Sequence, residues 1–349
     1  SKPVLVTGAT GYVAGWIVKR LLIEGMTVHA AVRDPANSEK LRYLNAMAGD
    51  TLGQIEYFES DLLEDGSYRA AIQGCELVFH TASPFTLAVE DAQRDLIDPA
   101  LRGTRNVLEQ ARKTDSVKRV VVTSSVAAIY GDTADLQDLD HDRFTEQDWN
   151  TTSTPTHQPY SYSKTVAERE AWKIAASQDR WDLVTINPSF VLGPGINPFA
   201  TSESFTLLKQ MGSGAMRSGV PAFPIGAVDV RDVAQAHFRA GFYPSAEGRY
   251  LVSAHVTDFA EVAGLLRQRF GNDYPLPRRT LPAWLVWLMG PLVDKSLSRQ
   301  MVSRNLGHSW RADNSKSIRD LGLHYRSLET ALFDMFQQQI DHGVISQAT

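Results

Sequence analysis

A single cysteine, Cys75, stands in 349 residues, so the chain cannot close an internal disulfide, and this scarcity points to a reducing compartment such as the cytoplasm. A metal centre is not expected either: there is no CxxC or HExxH, and the nine histidines include no pair at ligand-like spacing. No apolar run reaches the ~20 residues that a bilayer span requires. The longest, 281–293 (LPAWLVWLMGPLV), contains two prolines and a glycine and is expected to pack against the core or a partner. Trp284 and Trp287 leave contact with a membrane surface open. The first residues run straight into an apolar strand that turns at Gly8, which is not the layout of a signal peptide. A basic stripe is also missing. The 35 basic and 40 acidic side chains give a net charge of −5, which argues against a nucleic-acid partner.

What the chain does have is apolar substance. Hydrophobic residues make up 43% and charged ones 21%, and the length suits one large α/β unit or two closely joined ones. Short apolar runs at 4–7, 27–32, 55–59, 77–81, 120–124 and 183–187 read as strands. Amphipathic stretches at 11–24, 35–48, 65–73, 91–113 and 161–177 alternate with them and read as helices. Such alternation predicts an α/β fold with a doubly wound parallel sheet of Rossmann type, buried on both faces. After residue 187 the pattern changes. Residues 188–228 are rich in Gly, Pro and Ser around one helical segment at 202–211. A βα return follows at 229–240, then a strand at 249–253, and Asp258 caps a helix running to 269. The expected organisation is a nucleotide-binding domain over 1–187, with a return segment at 229–255. A smaller, mostly helical substrate-binding part would comprise 188–228 and 256–349. The loop 131–150 carries seven carboxylates between Asp132 and Asp148 and reads as a solvated excursion.

The first strand leads into Thr7-Gly8-Ala9-Thr10-Gly11-Tyr12-Val13-Ala14-Gly15. Glycine at 8 permits a tight turn, glycine at 11 lets a pyrophosphate approach backbone N–H groups, and the helix behind offers its positive end to the anion. Glycine clusters also serve purely structural turns; the strand-turn-helix context is what marks a dinucleotide site. Ala14 takes the place of a third glycine, where a methyl group fits with little loss. At the end of the second strand a NAD site needs a carboxylate, but Val32 stands there, with Arg33 next and Lys40 further on. Cations there suit a 2′-phosphate, so NADP(H) is the expected cofactor. Asp34 falls two positions late and starts the turn into Pro35. Asp61, after the third strand, is placed to accept from an adenine amino group.

Tyr160-Ser161-Tyr162-Ser163-Lys164 opens a helix, and only Tyr160 has a lysine four positions on, which puts phenol and ammonium on one face. A phenol titrates near pH 10, so a neighbouring ammonium is needed to make it a useful acid–base group. Thr123-Ser124-Ser125 ends the fifth strand at the carboxyl edge of the sheet, where ligands bind. Ser125 can donate to a carbonyl oxygen there, with Ser124 as the fallback. Tyr162, out of phase, reads as a packing residue.

These motifs resemble the extended short-chain dehydrogenase/reductase family. The likeness extends through TGATGYVAGW at 7–16, HTASP at 80–84, GTRN at 103–106, VVTSS at 121–125, YSYSK at 160–164, INPSFVLGP at 186–194 and DVRDVAQAH at 229–237. Asp313 through Lys316 and Leu321-Gly322 are similar to its later landmarks. AVRDP, FHTASP, YSYSKTVAE and NPSFVLGP together look most like the dihydroflavonol 4-reductase group and related microbial ketone and aldehyde reductases. The resemblance implies hydride transfer to a carbonyl carbon, with Tyr160 protonating the oxygen, Ser125 orienting it and Lys164 tuning the phenol. It also implies a water relay helped by Asn106. Beyond the glycine turn, Arg33, Lys40 and Asp61, it implies a cofactor shell from Leu62, Thr81, Ala82, Ser83 and Thr123. The backbone at Pro188, Ser189 and Val191 would complete it against the nicotinamide amide. Family members pair through the helices here at 91–113 and 161–177 or stay monomeric, so monomer and homodimer are both open.

For the substrate, Ser83, Pro84, Phe85, Phe190 and Phe199, with 202–211, suggest an apolar pocket for an aromatic or aliphatic carbonyl compound. Three rivals stay open: an alcohol dehydrogenase acting on hydroxysteroid-like substrates, a nucleotide-sugar epimerase or dehydratase, and a non-catalytic redox-sensing binder.

Overall fold

The computed structural model describes residues 2–84 and 89–347. Its N-terminal half alternates β1 (Val4–Thr7), α1 (Tyr12–Ile23), β2 (Thr27–Val32), α2 (Ser38–Gly49), β3 (Gln54–Glu59), β4 (Leu77–His80), α3 (Asp98–Arg112), β5 (Arg119–Thr123), α4 (Pro159–Ala176) and β6 (Asp182–Pro188). Then come β7 (Phe190–Leu192), α5 (Glu203–Gly212), β8 (Val220–Pro221), β9 (Pro224–Asp229), α6 (Val230–Phe242), β10 (Gly248–Val252) and β11 (His255–Asp258). The chain ends with α7 (Phe259–Phe270), β12 (Thr280–Leu281), α8 (Ala283–Val293), α9 (Arg299–Asn305), α10 (Ser315–Leu321) and α11 (Leu328–Asp341).

Seven strands form one sheet in the order β10-β6-β5-β4-β1-β2-β3, every neighbouring pair parallel. The expected doubly wound Rossmann sheet is therefore present. Strand order reverses between β1 and β4, and the carboxyl ends on either side of that switch form the crevice where such sheets bind ligands. One face is covered by α1, α2 and α6 through Ile17, Leu21, Leu41 and Val233, the other by α3 and α4 through Val107, Leu108, Ala171 and Ile174. A third cluster joins β7, α5, α7 and α11 through Leu192, Phe205, Leu266 and Phe336.

Several elements differ from the sequence expectation. Residues 65–73 form no regular helix. Gly66 and Gly74 both take positive φ and bracket a string of turns that buries Tyr68, Ala71 and Ile72. The stretch at 91–113 begins with a π-turn, Gln93–Ile97, before α3. Pro99 has no N–H with which to continue the ordinary ladder there. The Gly/Pro-rich 188–228 segment contains three strands besides α5. β9 pairs with β7 in parallel and β11 antiparallel, and β8 pairs with β12. The carboxylate-rich loop is not simply solvated. Asp132 is completely buried, accepting hydrogen bonds from His157, Asn305 and Arg304 at 2.7–2.9 Å. The 281–293 segment does not pack into the core, which leaves the expected contact with a partner: of α8, only Val286 and Gly290 are buried.

Candidate active site

Gly8 has φ +62°, and a Cβ added there would lie 2.9 Å from Ala82 Cα, so only glycine lets the turn pass beneath the loop after β4. That loop is tied down by Thr7, whose fully buried hydroxyl accepts the N–H groups of Thr81 and Ala82, both at 3.1 Å, and meets His80 Nδ1 at 2.9 Å. Thr7 thus braces two strand ends, which leaves its oxygen no free capacity toward a ligand. Burial pushes His80 down to about 4, so its ring is neutral at pH 7. α1 begins at Tyr12 with no side chain capping it and no acidic residue in its first turn, which leaves its positive end available to an anion. Thr10 is exposed and Val13 half-buried. The Tyr12 hydroxyl donates to the Gly193 carbonyl at 2.6 Å and serves the junction with β7.

At the end of β2, Val32 is buried, while Arg33 and Lys40 are exposed and neither forms an ion pair among the described residues. Asp34 accepts the Ala36 N–H at 3.0 Å and starts the turn through Pro35. Asn37 caps α2, leaving Lys40 in its first turn. Asp61 is exposed, one oxygen accepting the Leu63 N–H at 2.8 Å. Leu62 lies against α3, where a Cβ on Gly103 would come within 2.6 Å of it. Asn106 is buried. Its amide donates to the carbonyls of Leu62 at 3.1 Å and Glu64 at 2.7 Å and accepts the Gly66 N–H at 3.1 Å, so the side chain serves the loop after β3. At β6, the Ser189 N–H donates to the Val252 carbonyl, yet its buried hydroxyl has no partner among the described residues. Pro188 and Val191 are held in strand pairing.

Tyr160 sits in the first turn of α4, behind Pro159 and Gln158. Gln158 (φ 56°) is the one non-glycine residue with positive φ among those described. Lys164 lies one turn on, its Nζ 5.4 Å from the Tyr160 ring centroid and donating to Ser83 Oγ at 2.7 Å. Tyr160 keeps 48% of its surface exposed, at the lip of the cleft. Burial of the phenol group, reinforced by the Glu203 carboxylate, nonetheless pushes it above the usual tyrosine value. Burial pushes Lys164 down to about 8, with Glu203 opposing that fall. Against the expectation that the ammonium lowers the phenol, the shift is upward, through desolvation and Glu203, a residue for which the sequence carries no signal.

The two serines divide their work. Ser124 is buried and donates to Glu168, whose carboxylate also accepts from Asn187 Nδ2 at 2.6 Å and Arg249 Nε at 2.6 Å. Ser125 is half-buried, and its oxygen accepts the Ala127 N–H at 3.1 Å, while its own proton has no acceptor among the described residues. The fallback serine is therefore committed to structure and Ser125 is the available one. Thr123 meets His237 Nε2 at 2.7 Å, inside the fold.

A cavity of about 170 Å³ is lined by chain neighbours of Ser125 and Tyr160, Val126, Gln158 and Ser161, together with Tyr130, Phe223, Ile225 and Met301, among others. None of the described residues expected at the substrate pocket lines this cavity. Phe190 packs on Phe259 at 6.4 Å, because β7 is drawn into pairing with β9, and Phe199 stands 47% exposed against His342. Pro84 is half-buried, and Phe85 lies outside the described residues. The wall of this cavity comes from four segments far apart in the chain that carry no common sequence signal.

Residues 4–250 match the NAD dependent epimerase/dehydratase family. The chain is 41% identical to a cinnamoyl-CoA reductase of Medicago truncatula over 76% of its own length and 80% of the other's. It is 34% identical to tetraketide alpha-pyrone reductase 1 of Arabidopsis thaliana over 98% and 97% of the two chains. The crystal structure of Gre2 from Candida albicans in complex with NADPH superposes with a TM-score of 0.78 at 28% identity, covering 98% of this chain and 99% of that one. With the glycine turn, the sheet order and the Tyr160–Lys164 pair in place, the chain belongs to the NAD dependent epimerase/dehydratase family, among the extended short-chain dehydrogenases/reductases that its motifs resemble.

Proposed function

We propose that this NADP(H)-dependent oxidoreductase reduces a ketone or aldehyde carbonyl on a hydrophobic small molecule to an alcohol. The observation that carries the proposal is the set of groups at the crevice: a protonated phenol at its lip, Lys164 one turn behind, and Ser125 with a proton to give while Ser124 is tied to Glu168. The residues fit a dinucleotide. Gly8 and Gly11 leave space where a Cβ would intrude, α1 starts uncapped, and among the described residues Arg33 and Lys40 have no carboxylate partner and the Ser189 hydroxyl has none at all. Thr7, Thr81 and Ala82 shape the floor, Asp61 and Leu62 the adenine side, and Pro188, Ser189 and Val191 the nicotinamide side. When bound, the reduced nicotinamide supplies a hydride. Ser125 donates to the carbonyl oxygen and holds it, and Tyr160 gives that oxygen its proton. Lys164 keeps positive charge beside the phenolate left behind. Asn106 acts through the loop it holds, presenting Asp61 and Leu62. Residues 1–187 with 229–255 bind most of the cofactor, with Pro188, Ser189 and Val191 adding the nicotinamide side, and 188–228 with 256–349 supply most of the substrate side.

A panel of hydrophobic ketones and aldehydes, followed by loss of NADPH absorbance, tests this reading, with alcohol oxidation by NADP+ measured alongside. Turnover on no carbonyl compound would refute it, and faster oxidation would favour the hydroxysteroid-like reading. Replacing Arg33 and Lys40 by alanine removes two cations suited to a phosphate. It should narrow the NADPH-over-NADH preference by about tenfold or more, read from kcat/KM with each cofactor. An unchanged ratio would place phosphate recognition elsewhere.

The pH profile carries a sign of its own. With Lys164 titrating at about 8 and the phenol pushed up, the active form loses its ammonium first, so kcat/KM should fall above pH 8. Glu203→Gln removes a carboxylate that favours the ammonium and should move this fall to lower pH; a shift to higher pH would contradict the assignment.

A further inference from the structure

We infer that α8 docks the protein on an anionic lipid surface. The helix presents Trp284, Leu288, Leu292 and Val293 at 67%, 46%, 79% and 81% exposure, together with Trp287 and Met289. Its buried residues are Val286, which packs with Phe223 and Val302, and Gly290, which lies against Leu297, while Leu285 and Pro291 are half-buried. Scattered exposed apolar residues need no explanation, but a contiguous helical patch of this size marks an interaction surface.

Its charges identify the occupant. Between residues 278 and 299 stand Arg278, Arg279, Lys295 and Arg299 against one carboxylate, Asp294, in a chain whose net charge is −5. All four cations are exposed, and none forms an ion pair among the described residues. Arg299 lies over the Trp287 ring at 4.6 Å, so cation and indole stand together at the patch edge. An apolar face with two indoles, rimmed by free cations, is what lies in a headgroup layer: side chains enter the acyl boundary while lysine and arginine meet phosphates. The helix has 11 residues, about 16 Å, and cannot cross the ~30 Å hydrocarbon core, so it lies on the surface. A second copy of this chain would bring like charges together around the same patch, which disfavours that occupant.

The geometry gives the docking a direction. Phe223, which packs on Val286, and Met301 in the next helix also line the cavity bounded by Gln158 and Ser161, chain neighbours of Tyr160. The docked face therefore adjoins the wall of that cavity.

Sedimentation of the purified full chain with vesicles of phosphatidylcholine, alone or mixed with phosphatidylglycerol, tests the inference. Binding should favour the mixed vesicles and weaken with salt. It should fall about fivefold for each of Arg279, Lys295 and Arg299 changed to alanine. Trp284→Ser with Leu292→Ser should abolish it, and both residues are exposed enough to leave the fold intact, as circular dichroism and NADPH binding would verify. Quenching of tryptophan fluorescence by brominated lipid should weaken in that variant. The inference is overturned if neither vesicle is bound, or if the apolar variant binds unchanged. It is also overturned if the chain forms a dimer that this variant abolishes, since the face would then join copies. None of these outcomes depends on turnover.

Discussion

Replacing Tyr160 with phenylalanine is expected to lower kcat by at least ~10²-fold while leaving the dissociation constant for NADPH nearly unchanged. The ring keeps its place in the first turn of α4, Lys164 keeps its bond to Ser83, and only the hydroxyl is lost. Since the phenol is pushed up by burial and Glu203, it is protonated across the working range and its proton is available for transfer. Initial rates with a reducible ketone, set beside fluorescence titration with NADPH, measure the two quantities separately. A variant turning over at near-normal rate would end the assignment of Tyr160 as the acid.

Arg249→Met should produce the largest loss of stability of any single change considered. The Glu168–Arg249 pair is nearly waterless, with 0% and 7% side-chain exposure, and the same guanidinium donates to the carbonyls of Glu146 and Asp148. Removing it leaves a buried carboxylate without its counter-charge, at a cost of ~3–5 kcal/mol. The thermal midpoint should fall by roughly 4–7 °C. Glu168→Met in the same chain removes the orphaned charge and should recover part of that loss. It should not recover kcat, because Ser124 and Asn187 lose the carboxylate they share, and Asn187 also holds the Ser125 carbonyl at 3.0 Å. A single variant that melts with the parent protein would show the pair to be dispensable.

The parallel sheet was legible because strands buried on both faces must be apolar throughout, and β1, β4 and β5 are short runs of that kind. The glycine turn and the Tyr160–Lys164 spacing were legible because both are local, set within one turn and one helical face. A local glycine break and distance along the chain defeated the rest. At 65–73 the buried residues Tyr68, Ala71 and Ile72 fall at helical spacing, which imitates a helix that the flanking glycines break. Asp132 looked solvated because Asn305, which holds it, is 173 positions away. β7 is only three residues long and β9 carries Pro224 and Gly226, and they become strands only through pairing with each other and with β11. The cavity wall is the same case: Tyr130, Phe223 and Met301 meet only in the folded chain.

The outermost strand on the β6 side has a consequence for synthesis. β10 seals β6, a seven-residue strand whose last six residues are buried, and it emerges only after the segment that carries β7, α5, β8, β9 and α6. On the ribosome, therefore, a nascent chain released before residue 252 displays β6 as a bare sticky margin. A truncated product ending near 187 should aggregate rather than persist as a free-standing nucleotide binder.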